Sequence, residues 1–119
     1  MGMGPPTGPT APELTKPNEL YLYNRLQCNA LYHNLGYDIE IFWTPRRYVT
    51  LPDGRLGWIG CSANPGATYV KCDERWVNDS TTTSTVLNEV AAHETCHISG
   101  DMREPPSECM AKALDRCRL

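Results

Sequence analysis

The stretch V-L-N-E-V-A-A-H-E-T-C-H-I, from Val86 to Ile98, contains His93-Glu94-Thr95-Cys96-His97, an H-E-x-x-H run. On a helix, residues four apart lie one above the other. His93 and His97 can therefore turn two imidazoles toward one metal ion. Glu94 sits on the same flank, where its carboxylate can reach a water on that ion. At about 100° per residue, Val86, Leu87, Val90, Ala91, His93, Glu94, His97 and Ile98 fall within an arc of roughly 160°. Asn88, Thr95 and Cys96 fall outside it. The run thus belongs to the buried side of an amphipathic helix. Two core histidines beside a buried Glu would be the bland explanation, and it is disfavoured because an unpaired buried carboxylate is costly.

Outward from this helix, Asp79, Ser80 or a following Thr is expected to cap its start, and Gly100 to stop it. Met102 to Glu104 reads as a short connection. Pro105-Pro106-Ser107 then opens a last helix running to Cys117 or the end, with Glu108 in the first turn, where the helix dipole favours an acid. Upstream, Asn18 reads as an N-cap and Glu19 to about Asn34 as a helix closed near Gly36, with Leu20, Tyr23, Leu26, Ala30 and Leu31 as its core face. Tyr37 to Trp43 alternates as a strand. Tyr48 to Leu51 and Leu56 to Cys61 form a hairpin about the turn Pro52-Asp53-Gly54-Arg55. Thr68 to Cys72 is a fourth strand, and Asp73 to Asn78 leads away. Residues 1–17 are Pro/Gly-rich and read as a flexible tail, open to a role as an arm for an assembly partner. Residues 18–119 form a single domain.

The chain has 119 residues, a net charge of -3 and a sequence pI near 5.5. That is enough for one modest core and gives no basic footprint for nucleic acid. No apolar run reaches membrane-spanning length, and no signal peptide is recognised at the start. A cytoplasmic location, or a place in a larger assembly, is the expectation. Six cysteines are many for this length. Without an export signal, buried free thiols are expected over a disulfide framework. No C-x-x-C pair occurs, which disfavours a structural zinc site built from Cys. His33, near the end of the first helix, has no partner at ligand spacing.

The order of helix, three or four strands, motif helix, short loop and final helix resembles the zincin metallopeptidases, and within them the smallest gluzincin-like members. At residue level the resemblance is carried by His93, Glu94 and His97. It implies an α+β fold: a backing helix, a small twisted sheet of three or four strands, an active-site helix and a C-terminal helix bearing a ligand Glu. It also implies Zn2+ as cofactor and a protein or peptide as substrate. Glu94 would be the general base, and the strand Thr68 to Cys72 an exposed edge for the peptide. Tyr69 and Arg103 are candidate oxyanion donors. The alternative is a non-catalytic, metal-stabilised structural or partner-binding protein that keeps the zincin frame.

A third ligand is needed beside His93 and His97. The metzincin pattern H-E-x-x-H-x-x-G-x-x-H/D is matched through Gly100 and then fails at Arg103, which cannot ligate. Glu108 is the first candidate, since Glu108-Cys109-Met110-Ala111 is similar to the gluzincin ligand segment. Asp115, two turns on, could accept a hydrogen bond from a ligand histidine. Many gluzincins instead place an acid one turn after the Glu, where this chain has Lys112. Asp101 is the alternative third ligand, resembling the aspzincins.

Overall fold

The computed structural model describes residues 14–45, 47–50 and 52–117. Its elements are α1 (Pro17–Tyr32), β1 (Glu40–Thr44), β2 (Arg47–Thr50), β3 (Leu56–Ile59), β4 (Cys61–Ser62), β5 (Tyr69–Asp73), α2 (Glu74–Val77), α3 (Ser84–Ile98) and α4 (Ser107–Arg116). This is a small α+β domain; among the described residues it has five strands where three or four were expected, because the expected strand Leu56 to Cys61 is divided between β3 and β4. The short helix α2, capped by the Asp73 carboxylate on Arg75 N–H at 2.9 Å, was not anticipated.

The H-E-x-x-H run lies on α3, as its periodicity suggests. Thr83 caps the helix by accepting from Val86 N–H. At the other end Gly100 has φ +113°, a conformation that disfavours any Cβ. Its N–H bonds the His97 carbonyl while Asp101 N–H reaches back to Cys96, which satisfies the last carbonyls of the helix. The burial is wider than one amphipathic face. Thr95 and Cys96, placed outside the apolar arc, are fully buried, and Val86, placed inside it, is exposed. The reason is that α3 packs against both α1 and α4. Thr95 satisfies its hydroxyl on the Ala91 carbonyl, and Cys96 is bonded to Cys109 of α4.

Helix α1 begins two residues earlier than expected, with Lys16 at the N-cap and Pro17 in the first turn. Asn18 is not the cap. Its amide donates to the carbonyls of Val77 and Thr82, at 2.8 and 3.3 Å, and so ties α1 to the entrance of α3. The core face is also rotated from expectation: Leu22, Leu26, Asn29 and Ala30 are buried, while Leu20 and Leu31 are exposed. Of the expected tail, residues 1–13 lie outside the described residues. Leu14 already belongs to the core.

Glu19 is buried at the start of α1 and accepts hydrogen bonds from Thr15 N–H, Lys16 N–H and the Asn78 amide, at 3.1, 3.2 and 2.8 Å. Burial pushes its carboxyl up, but these three donors and the Lys16 charge outweigh it and hold the carboxyl below its ordinary 4.5. A carboxylate whose folded pKa is lowered contributes stability that is present above the unfolded pKa and is lost as pH falls through the folded one. Glu19→Ala is expected to destabilise the fold by about 2 kcal/mol at neutral pH, read by denaturant unfolding, and to flatten the loss of stability below pH 4.5. An equal loss at pH 7 and in acid would remove Glu19 as the cause.

The sheet is mixed, in the order β1-β5-β4. β1 runs parallel to β5, with Ile41 opposite Val70, and β4 runs antiparallel, with Cys61 opposite Cys72. β2 and β3 form a separate antiparallel hairpin. The expected exposed edge, Thr68 to Cys72, is corrected here: β5 is the central strand, paired on both sides, and the edges are β1 and β4. Between β3 and β4, Gly60 passes so close to Trp76 that a Cβ would stand 2.6 Å from its ring. The core joins Leu22 and Leu26 of α1, Ile41 and Val70 of the sheet, and Leu87 and Ala91 of α3.

All six cysteines are paired, as Cys28–Cys117, Cys61–Cys72 and Cys96–Cys109. The expectation of free thiols, which rests on the lack of a recognised export signal, is therefore overturned. The physical reason is proximity: α4 packs against both α1 and α3, and Cys61 faces Cys72 across one strand pair. No helix of the described residues is long and apolar enough to cross a membrane.

Candidate metal centre

His93 and His97 lie on one flank of α3 with their rings 4.6 Å apart and nearly perpendicular, at 85°. Together with Glu94 they form a group whose ligand atoms all lie within 4.8 Å of one another. The Glu94 carboxylate stands 4.0 Å from His93 Nε2 and is nearly buried.

His97 is the more informative imidazole. Its Nδ1 lies 2.8 Å from the Asp101 carbonyl oxygen. A carbonyl can only accept, so Nδ1 carries the hydrogen. The lone pair of the neutral ring is then on Nε2. That atom is buried and has no hydrogen-bond partner, although a carboxylate oxygen of Glu104 lies 3.3 Å away without the geometry of a bond. Buried polar atoms are nearly always satisfied, so an orphan of this kind calls for an explanation.

The carboxylate beside both histidines belongs to Glu104. Its two oxygens lie 3.0 Å from His93 Nε2 and 3.3 Å from His97 Nε2. Two ligand atoms of a tetrahedral zinc ion, each about 2.0–2.2 Å from it, stand roughly 3.3–3.5 Å apart. The Glu104 carboxylate thus stands near such a ligand-to-ligand spacing from each imidazole, one oxygen toward each. The Glu104 side chain is 71% exposed, which leaves this side of the group open to solvent.

The structure does not bring the two expected third ligands to the imidazoles. Glu108 lies on the exposed first turn of α4, with a carboxylate oxygen 3.6 Å from Arg103 Nη1. The Asp101 carboxylate is occupied by Arg103, at 3.0 Å from Nε and 2.6 Å from Nη2. These hydrogen bonds hold the Asp101 carboxyl down to about 2 and push the Arg103 guanidinium up. Arg103 is exposed, so the pair adds little stability. Its effect is local: it sets the loop that presents the Asp101 carbonyl to His97. Asp115 is exposed on α4, and the expected acceptor for a ligand histidine is instead the Asp101 backbone. Tyr69, a candidate oxyanion donor, stacks on Phe42 at 4.9 Å, and Arg103, the other, is engaged by Asp101.

Burial, and next to it the neighbouring His97, lower the pKa of His93 below its ordinary 6.5; Glu104 opposes this without reversing it. Sequence reasoning did not place Glu104 beside the histidines. The available signal was its position seven residues after His97, just before a proline pair and one residue beyond the place where the metzincin pattern fails. His33, the third histidine, stands apart from the group, against the Cys96–Cys109 sulfurs. Comparison with protein-family models, with curated proteins and with solved structures finds no match to this chain.

Proposed function

We propose that the chain is a zinc-dependent hydrolase that cleaves peptide bonds, with His93, His97 and Glu104 as the metal-holding residues and Glu94 as general base. The observation that carries this reading is the buried Nε2 of His97, which makes no hydrogen bond and lies 3.3 Å from the Glu104 carboxylate that also reaches His93 Nε2 at 3.0 Å. The zincin-like element order, with the backing helix α1 and the small sheet ahead of α3, supports the same reading by resemblance.

When bound, zinc would supply Lewis acidity toward the scissile carbonyl and would acidify a water. The chain's own groups do the rest. The Asp101 carbonyl fixes the tautomer of His97, leaving Nε2 free to ligate. Glu94, beside His93 and shielded from bulk solvent, takes the proton of the attacking water and hands it to the leaving amine nitrogen. Glu104 closes the ligand set from the solvent side, where a substrate can approach. The edge strand β4 contacts α3, and an extended peptide would add to the sheet along it.

The test is incubation of the zinc-loaded protein with a diverse peptide library, read by mass spectrometry. New termini should appear, vanish when a chelator removes the metal, and return when zinc is restored. Zinc binding without any cleavage of the library would contradict the hydrolase reading and favour the metal-stabilised, non-catalytic alternative.

A further inference from the structure

A second group of metal-ligating side chains lies on the other flank of α3. His33, just past the end of α1, places its Nε2 3.8 Å from Cys96 Sγ and 3.8 Å from Cys109 Sγ. One imidazole nitrogen thus faces both sulfurs of one disulfide at equal distance. The three atoms form a compact triangle drawn from three elements: the end of α1, α3 and α4.

We propose that His33, Cys96 and Cys109 form a second metal site, selective for a thiophilic divalent cation and open to it when the Cys96–Cys109 disulfide is reduced. A tetrahedral zinc ion with Zn–S of about 2.3 Å and Zn–N of about 2.0 Å sets its ligand N and S atoms roughly 3.5–3.6 Å apart, and its two S atoms roughly 3.8 Å apart. The two N···S distances of 3.8 Å are already close to this. Only the two sulfurs, now bonded to one another, must separate. The Cα atoms stand 6.1 Å apart, so turning each Sγ about its own Cα–Cβ bond can achieve it. His33 is half-buried, and its Nε2 already points at both sulfurs.

A dithiol or phosphine reductant donates two electrons to the S–S bond, and two protons from the donor or water complete the thiols. The reductant leaves as its own disulfide or as a phosphine oxide. The incoming cation then displaces both thiol protons, since the thiolate is the ligand form. This site uses neither His93 nor His97, and its existence does not depend on the proposed hydrolase.

The probe is Co2+, added to the full chain before and after reduction with a thiol-free phosphine. The readout is the thiolate-to-cobalt charge-transfer band in the near ultraviolet. The oxidised protein should show none. The reduced protein should show a band that saturates at one ion more than the oxidised protein takes up, and His97→Ala should leave the band in place. His33→Gln should weaken the band-forming affinity at least about tenfold, since removing even the partner of a ligand costs about that much. Cys96→Ser with Cys109→Ser should abolish it. Absence of the band in the reduced wild type, folded or unfolded, would overturn the proposal. So would a band of unchanged affinity in His33→Gln, or one that survives in the double serine variant.

Discussion

Glu94→Gln is expected to lower peptide cleavage by about 10²–10⁴-fold while the zinc content per chain stays at the wild-type level. The two side chains have nearly the same shape, so packing beside His93 is preserved. What changes is the ability to accept a proton. A carboxylate can take the proton of an attacking water and release it to the departing amine; a neutral amide can do neither. The near-burial of Glu94 strengthens the expectation, because little bulk water reaches it to serve as a substitute base. The check pairs a cleavage assay with metal analysis on the same preparation. Unchanged cleavage would remove Glu94 from the chemistry, and joint loss of zinc and cleavage would make it a ligand instead.

His97→Ala is expected to weaken zinc binding by more than about 100-fold, since losing only the hydrogen-bond partner of a ligand already costs about 10–100-fold. Three features concentrate the effect on this residue. Its Nε2 is buried, it lacks any hydrogen bond, and its tautomer is set by the Asp101 carbonyl. The substitution also leaves that carbonyl without its donor, so the loop carrying Glu104 should loosen. Competition with a chromogenic chelator measures the change. Wild-type affinity in a folded His97→Ala protein would show that the imidazole is a satisfied core group and not a ligand.

Much of the frame was legible in the sequence, and the failures have physical causes. The element order followed from hydrophobic period and turn chemistry, and the spacing of His93 and His97 put both on one flank of α3. The face of α1 was misjudged because Leu20 and Leu31 look like core residues. They lie near its two ends and are exposed, while Asn29 and Glu19 are buried with hydrogen-bonded side chains. The disulfides were missed because pairing depends on where helices meet in space, and spacing alone does not specify it. The place of Glu104 beside the imidazoles was not foreseen, because a third ligand was sought first on the final helix, at Glu108, and next at Asp101 just past Gly100. Glu104 sits on a loop whose path depends on Gly100, on the Asp101–Arg103 pair and on the Cys96–Cys109 bond that joins the two flanking helices. Nothing in a local periodicity encodes that return.

The most direct test of the metal centre is zinc per chain, by mass spectrometry, for wild type, Glu104→Ala and Glu108→Ala purified side by side. About one zinc in wild type and in Glu108→Ala, with a clear loss in Glu104→Ala, is the result the geometry predicts, three protein ligands being the rule for such sites. Loss in Glu108→Ala with retention in Glu104→Ala would contradict it and return the third ligand to the helix. No zinc in wild type, even when supplied, would contradict the metal centre itself.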